Sequence, residues 1–297
     1  MSHVTPAPTR ILRVQPRRGW AGLDLAEVWR ARELIWMLAF REVRVRYKQT
    51  VMGVAWAMLV PLIQMFIFTL IVAGLFGLSA PEGVPFPLYN FSALVPWTFF
   101  ASAVSRSTAS QVGRSALIKK VYLPRVAIPL SAVGTGVIDF VLAFVLLLAM
   151  LGVFHIAGPV QLGATEFPDF TWHPGWAMLW VIPMVCLTLV TAVAVGLWGS
   201  ALMVRFRDVG VVTPFLLQVW MYACPIIYSV DMLPQWLRPW YGLNPMVGVI
   251  EGFRWALLGM GRPPMLSTGL AALISLSLLV SGAYFFRRTE RTFADIL

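Results

Sequence analysis

The sequence predicts an all-α integral membrane protein, and three observations support this fold class. Of its 297 residues, 59% are hydrophobic and only 12% are charged, whereas a soluble domain carries roughly 25% charged residues. The apolar residues form long runs without charge, as helices that cross a bilayer require. The net charge is +10, and the basic residues lie between these runs, as in the cytoplasmic loops of membrane proteins. We expect a transmembrane domain of residues 33–297 after an N-terminal cytoplasmic tail of residues 1–32.

The segment before the first apolar run predicts an amphipathic interface helix over residues 33–49. Aromatic and apolar side chains share one helical face, namely Trp36, Phe40, Val43 and Tyr47. Basic side chains share an adjacent face, namely Arg41, Arg44 and Lys48. An apolar stripe beside a basic face is typical of a helix that lies in the membrane surface. The alternative is a solvent-exposed helix that packs on a soluble partner.

Six runs with almost no charge predict six transmembrane helices. A helix needs about 20 apolar residues to cross the hydrocarbon core. The runs that meet this requirement are residues 53–78, 83–105, 126–154, 175–204, 209–229 and 265–286. Asp139 is the one acidic residue inside a predicted span. An intramembrane acid marks a functional site by default, and the sequence leaves open whether Asp139 serves the substrate path or a structural hydrogen bond.

Residues 231–264 are broken by prolines and predict re-entrant helices instead of a full span. The pieces between the prolines run to about 14 residues, which is short for a span. A seventh span is the competing interpretation. With six spans, only Arg238, Arg254 and Arg262 of the 23 basic residues lie outside, and the other 20 lie in the cytoplasm. This asymmetry favours six spans with both termini in the cytoplasm, the C-terminal segment being residues 287–297.

The chemistry of an enzyme is absent from the sequence. None of the three lysines follows a GxxxxG run, so there is no phosphate-binding loop of the Walker A type. No HExxH or GxSxG motif occurs, and the three histidines are scattered. We expect no catalytic, cofactor-binding or metal-binding residue in this chain. If transport is driven by ATP, the ATPase must be a separate polypeptide.

Five blocks of sequence, taken in order, resemble the ABC-2 type permeases of the polysaccharide exporter family. The blocks are ELIWMLAFREVRVRYKQTVMGVAWAMLVPL (residues 33–62), LVPWTFFASAVSRS (94–107), LIKKVYLPR (117–125), RFRDVGVVTPFLLQVWMYACPIIYS (205–229) and LNPMVGVIEGFRWALLG (243–259). Any one block is a weak signal, but five in the same order are specific. Such permeases export O-antigen, teichoic acid or capsule.

The resemblance implies an architecture and a set of partners. Two copies of the chain would pair around a central channel in the bacterial inner membrane and sit on two ABC ATPase subunits, which bind ATP and magnesium. The cargo would be a lipid-linked polysaccharide, and no nucleic acid is implied. O-antigen-like export is the first choice, and capsule, teichoic acid, drug or lipid export stay open. Two other functions are less well supported. A membrane-embedded lipid-sugar transferase or an ion-coupled carrier would need acidic or metal-binding residues that this sequence does not convincingly provide.

Three groups of site residues follow from the resemblance and from charge placement. Coupling to the ATPase and uptake of the acidic lipid head need basic or rigid cytoplasmic residues, for which the candidates are Arg41, Arg44, Arg114, Lys119, Lys120, Tyr122, Pro124, Arg125, Arg205 and Asp208. The alternative is that these bases only follow the positive-inside rule. Aromatic rings suit a sliding glycan, and the channel-lining candidates are Trp56, Trp97, Phe99, Phe100, Asp139, Trp220, Tyr222 and Tyr228, although each can instead face lipid or the core.

The predicted outer gate lies in the proline-broken region, with Asn244, Pro245, Glu251 and Arg254 as its candidate residues. Glu251 and Arg254 stand at i and i+3 and must satisfy each other or a neighbour in a low-dielectric setting. Gly248 and Gly252 leave a smooth face for close helix approach. We expect this hairpin to close the outer mouth of the channel at rest.

Overall fold

Helices dominate the part of the chain that the structure describes. The computed structural model describes residues 25–48, 53, 55–116, 123–158, 160–162, 165–261, 263–290 and 292–293. Its α-helices are α1 (Leu25–Arg30), α2 (Arg32–Lys48), α3 (Ala55–Phe68), α4 (Phe86–Gly113), α5 (Ala127–Gly134), α6 (Gly136–Ala157), α7 (Val181–Arg205), α8 (Val209–Tyr222), α9 (Arg238–Tyr241), α10 (Pro245–Leu258) and α11 (Met265–Glu290).

Shorter elements connect these helices. A π-helical segment, Thr69–Leu75, continues α3, and 3-10 turns lie at Pro81–Gly83, Trp176–Trp180 and Val230–Met232. One antiparallel hairpin pairs β1 (Val160–Leu162) with β2 (Thr165–Phe167), so that Val160 stands opposite Phe167. The hairpin is a small addition to the predicted all-α fold.

Four helical stretches among the described residues are long and apolar enough to cross a membrane. They are Ala55–Leu75, Ala127–Ala157, Trp176–Arg205 and Met265–Glu290. These stretches correspond to the first, third, fourth and sixth predicted spans. The chain is therefore a multi-pass membrane protein. The count of six spans stays a prediction, because α4 and α8, the second and fifth predicted spans, are not among these four stretches.

Helix α4, the predicted second span, lies at the centre of the bundle. Residues 86–97 are all buried, and α4 contacts α3, α6, α7, α8 and α10. Several of its polar side chains are buried as well, including Asn90, Ser107 and Gln111. A helix surrounded by protein does not need a lipid-compatible surface, which explains its mixed composition.

Helix α8, the predicted fifth span, is shorter than expected. It ends at Tyr222, and the chain then turns at Cys224, so the predicted end at residue 229 is wrong. Its 14 residues rise about 21 Å, which is less than the roughly 30 Å of the hydrocarbon core. Pro225 follows the helix directly and cannot continue its hydrogen-bond ladder.

The central helices α4 and α7 approach closely because small residues face each other. A Cβ atom on Gly196 would lie 2.5 Å from Ser107 Oγ and 2.7 Å from Ser107 Cβ. Gly199 is similarly close to Thr108, one residue further along α4. Small residues at such crossings let the backbones pack tightly, which stabilises helix pairs in membranes.

Replacing Gly196 with Ala is expected to destabilise the protein by about 1–3 kcal/mol, because the new methyl group overpacks the contact with Ser107. The melting temperature of the detergent-purified chain measures this effect. Gly269→Ala in α11 is the matched control, since nothing lies within 4 Å of its added Cβ. The interpretation fails if the two variants melt at the same temperature.

Candidate functional site

The interface helix α2 packs on the bundle with one face and presents the other to its surroundings. Leu38 and Ala39 are buried, and the Ala39 methyl would lie 3.6 Å from a Cβ on Gly134 in α5. Trp36, by contrast, is 72% exposed, and its ring stacks on exposed Phe40. The residues of the predicted aromatic stripe therefore have different surroundings: Trp36 and Phe40 are exposed, whereas Tyr47 contacts the bundle through Asp139.

Asp139 in α6 holds three side chains from two other helices. Arg46 Nη1 in α2 donates to Asp139 Oδ2 at 2.9 Å, and Arg106 Nη1 in α4 donates to the same oxygen at 3.0 Å. The Tyr47 hydroxyl donates to Asp139 Oδ1. Arg106 also donates to Ser102 Oγ at 2.8 Å. We call Arg46, Tyr47, Arg106 and Asp139 the Asp139 cluster.

The electrostatics of the Asp139 cluster favour a fixed arrangement. Its three charged side chains are 36%, 18% and 21% exposed for Arg46, Arg106 and Asp139, so water screens them only in part. Two cations share one carboxylate, and each would repel the other without it. Burial and the hydrogen bond to Asp139 raise the pKa of Tyr47 to about 12, so its hydroxyl stays a donor.

The contacts of Asp139 favour a structural role, and channel lining by this residue stays a prediction. Both carboxylate oxygens are occupied by partners within the chain, which is the structural alternative that the sequence left open. The sequence analysis missed Arg46 and Arg106 as partners. Arg106 directly follows the second charge-free run, but Asp139 lies near the middle of the third run, residues 126–154, so the predicted spans do not place the two side chains at the same level.

A second ion pair fastens α2 one helical turn away from the first. Arg114 in the segment after α4 pairs with Glu42, and its Nη1 donates to Ser131 Oγ at 2.7 Å in α5. Glu42 and Arg46 stand at i and i+4, so they project from the same side of α2. The two contacts hold the interface helix to α4, α5 and α6 together.

Reversing the charge of Glu42 is expected to loosen α2, because Glu42→Arg places two cations where one pair stood. The double variant Glu42→Arg with Arg114→Glu should recover most of the lost melting temperature. A disulfide introduced between positions 39 and 134 reports the docking of α2 independently. Equal melting temperatures of the single and double variants would contradict this role of the pair.

Of the other predicted coupling residues, some are exposed, some are half-buried and some lie outside the described residues. Arg41 and Arg44 are exposed, and the Arg44 guanidinium lies 5.1 Å from the centre of the Phe40 ring. Arg125 donates to the Glu290 carbonyl, and its own carbonyl accepts from Gln111 at 2.8 Å. Pro124 is half-buried beside it. Lys119, Lys120 and Tyr122 fall outside the residues that the structure describes.

Arg205 and Asp208, two further coupling candidates, lie three residues apart but do not pair with each other among the described residues. Both side chains are exposed. The Arg205 guanidinium instead lies 5.4 Å from the centre of the Phe206 ring. Helix α7 ends at Arg205 and α8 begins at Val209, so the two charges belong to the tight connection between these helices.

Asn244 joins the start of α10 to the end of α8. Its Oδ1 accepts from the Met246 amide at 3.1 Å and from Trp220 Nε1 at 3.0 Å. Its Nδ2 donates to the Ala223 carbonyl at 3.1 Å. Pro245 follows at the first helical position, where its missing N–H costs nothing. The predicted gate residue Asn244 thus caps one helix and ties it to the next.

Arg254 is buried at the centre of α10 and finds its partners on other elements. Its guanidinium carbon lies 3.5 Å from the centre of the Tyr89 ring in α4. Its Nη2 donates to the Ile226 carbonyl at 3.0 Å and to the Tyr89 carbonyl at 3.4 Å. The Arg254 charge is therefore satisfied by groups on α4 and on the turn after α8. Among the described residues, Glu251 forms no ion pair with Arg254 or with any other side chain.

The glycines of α10 permit close packing, as the sequence predicts. A Cβ on Gly248 would lie 2.6 Å from the Ser267 carbonyl oxygen in α11, and one on Gly252 would overlap the Met184 side chain in α7. Helix α10 is consequently held between α4, α7 and α11. Only small residues allow a helix this close to a neighbouring backbone.

Three of the predicted channel-lining aromatics are instead core residues. Trp97, Phe99 and Phe100 are at most 3% exposed and pack inside the chain, so the prediction is wrong for them in this conformation. Trp220 is half-buried, with its ring 5.1 Å from that of Phe100. The remaining candidates have free surface: Trp56 and Tyr222 are exposed and Tyr228 is half-buried. Channel lining by these residues stays a prediction.

Comparison with known proteins covers most of the chain. Residues 33–258 match the family described as ABC-2 type transporter. The chain is 28% identical over 273 residues to the O-antigen export system permease protein RfbA of Myxococcus xanthus, covering 91% of this chain and 97% of that protein. It is 26% identical to the RfbA protein of Klebsiella pneumoniae over 89% of this chain and 95% of that protein. It is 24% identical to the polysialic acid transport protein KpsM of Escherichia coli, covering 85% and 92%.

Proposed function

Because this chain belongs to the ABC-2 type transporter family, we propose that it is the channel-forming permease subunit of an ATP-driven exporter of a lipid-linked, O-antigen-like polysaccharide. The observation that carries the proposal is similarity along almost the whole length of two O-antigen export permeases. A match of this extent includes the interface helix, the central bundle and the gate region together. Capsular polysaccharide is the second candidate cargo, favoured by the similarity to a polysialic acid transport protein.

The proposed energy source is a separate ATPase that acts on the interface helix. Helix α2 presents exposed Arg41 and Arg44 on its outer face, while Glu42 and Arg46 fasten it to the bundle. A displacement of α2 would reach α4 and α6 through ion pairs and side-chain packing at once. This rigid connection supports a role in passing the motion of an ATPase to the spans.

The proposed channel forms between two copies of the chain. Within one chain α8 buries only Leu217, and Val211 and Phe215 are largely exposed. An apolar helix that is too short to span and is barely covered by its own chain favours contact with a second copy. Exposed Tyr222 at the end of α8 would then face the space between the copies.

The proposed orientation places α2 at the cytoplasmic side of the bacterial inner membrane, with both termini inside. Arg46, Arg106 and Arg114 cluster at the end of the bundle where α2 docks. An excess of basic residues marks the cytoplasmic end of membrane helices. The gate helix α10 would then lie toward the outer side.

Deletion of the gene tests the proposed function. We expect lipid-linked polymer to accumulate inside the cell and to disappear from the surface, with recovery when the gene is supplied in trans. Chemical analysis of the retained polymer distinguishes an O-antigen from a capsular polysaccharide. Co-purification of an ATPase with the tagged chain tests the proposed partner. Normal surface glycan in the deletion strain would refute the proposal.

A further inference from the structure

A cavity of about 430 Å³ opens beside the gate helix. It lies between α10, the start of α11, the segment that joins these two helices, and the turn at Val230–Met232. Its volume falls within the range of about 300–1,000 Å³ that is usual for small-molecule sites. The Asp139 cluster and the interface helix contribute nothing to it.

Glu251 places a carboxylate in the wall of this cavity. Every other residue of α10 is buried, and Glu251 alone is half-buried and lines the cavity. Its carboxylate takes part in no ion pair among the described residues, and the Ser267 hydroxyl and the Arg254 guanidinium lie close enough to interact with it. A charged group retained on an otherwise buried helix is costly unless a partner or ligand compensates it.

The walls of the cavity are held in place by hydrogen bonds. The Tyr89 hydroxyl donates to the Tyr228 carbonyl at 2.9 Å, and Arg238 Nη2 donates to the Asp231 carbonyl at 2.6 Å. The Asp231 amide in turn donates to Ser229 Oγ at 3.3 Å. Two prolines, Pro263 and Pro264, stiffen the opposite wall. The cavity is therefore largely preformed, so little ordering would be needed on binding.

The chemistry of the lining favours a neutral ligand rich in hydroxyl groups. Glu251 supplies acceptors, and Arg254, which already donates to the Tyr89 and Ile226 carbonyls, borders the site as a donor. The Ser267 hydroxyl donates to the Pro264 carbonyl and supplies its oxygen as an acceptor. The carboxylates of Glu251 and Asp231 would repel a ligand with negative charge, and the guanidinium of Arg254 would repel a cation. Sugar hydroxyls donate and accept in the same ring and satisfy both kinds of wall.

We propose that this cavity binds a neutral sugar unit of the exported glycan at the outer gate. This inference rests on the proposed function, which supplies a glycan as cargo and places α10 toward the outer side. Glu251 accepts hydrogen bonds from the sugar hydroxyls, and binding occurs where the emerging chain passes the gate helix. The site thereby adds a sugar-binding contact to a helix that is otherwise buried inside the chain.

Saturation-transfer NMR on the full-length chain in nanodiscs tests the site. The probes are the methyl glycosides of glucose, galactose and mannose, with glucuronate as the charged comparison. We expect a signal from at least one neutral glycoside and none from glucuronate. Glu251→Gln should weaken binding about tenfold, since it removes charge-assisted hydrogen bonds. Asp169→Asn, which alters an exposed acid that does not line the cavity, should leave affinity nearly unchanged.

A second variant keeps the test decisive if Glu251→Gln does not fold. Val230→Trp places a bulky ring at the half-buried mouth of the cavity and should abolish the neutral-sugar signal. Absence of any neutral-sugar signal from the wild-type chain overturns the site, as does a signal that survives both variants. If that negative result accompanies intracellular polymer in the deletion strain, the sugar site is wrong and the proposed function stands.

Discussion

Replacing Asp139 with Asn is expected to abolish glycan export and to lower the melting temperature of the purified chain. The substitution keeps the shape of the side chain but removes the charge that Arg46 and Arg106 share. Removing one partner of a buried ion pair costs about 3–5 kcal/mol, and partial exposure reduces this to roughly 2–3 kcal/mol. Because Arg46 belongs to α2, the loss should also free the interface helix from the bundle.

Two comparisons make this expectation specific. Asp208→Asn removes an exposed acid that forms no ion pair among the described residues, and its melting temperature should match that of the wild type. Asp139→Asn combined with Arg46→Gln should be less harmful than the two separate losses added together, because the repulsion between the guanidinium groups is relieved. Surface glycan and melting temperature are both measured. Wild-type export by Asp139→Asn would exclude a coupling role for the cluster.

Replacing Arg254 with Ala should release the gate helix and make the membrane leak. The guanidinium is buried against the Tyr89 ring and donates to the Ile226 and Tyr89 carbonyls. Hydrogen bonds from a charged group contribute about 1.5–3 kcal/mol, and a desolvated cation–π contact adds about 2 kcal/mol. Alanine cannot make the hydrogen bonds to the Ile226 and Tyr89 carbonyls, so α10 should separate from α4 and from the turn after α8.

The expected leak is measured as release of a trapped fluorescent dye from proteoliposomes that contain the variant. Arg238→Ala is the matched control, because Arg238 also donates to two carbonyls of the same outer region but is exposed. It should leave the dye trapped. Arg254→Lys should leak to an intermediate degree, since lysine keeps the charge but loses the planar fork. Tight proteoliposomes with Arg254→Ala would show that the gate does not depend on this residue.

Much of the fold was predictable because hydropathy is a local property. A run such as residues 265–286 needs no knowledge of its neighbours to be identified as a span, and α11 confirms it. The proline-broken region likewise predicts short helices, and α9 and α10 are short. The end of α8 was less predictable, because apolar residues continue beyond Tyr222 after the helix has ended.

The sequence did not predict which face of each helix is buried. In a soluble helix, polar residues mark the outer face, but a membrane helix is apolar on its lipid side and on its core side alike. Trp97 and Phe100 therefore looked equivalent to Trp56, although the first two are core residues and Trp56 is exposed. Only packing against neighbouring helices separates these cases.

What the amino-acid sequence determined by itself is the class of the molecule: a basic, multi-pass helical protein with an amphipathic helix before its first span and a proline-broken region before its last. The tertiary structure alone decided how its few buried charges are satisfied, with Asp139 shared by Arg46 and Arg106, and Arg254 placed over Tyr89. The physical reason is that hydropathy and charge placement are summed along the chain. A buried charge is satisfied instead by groups distant in sequence, which folding brings within about 3 Å.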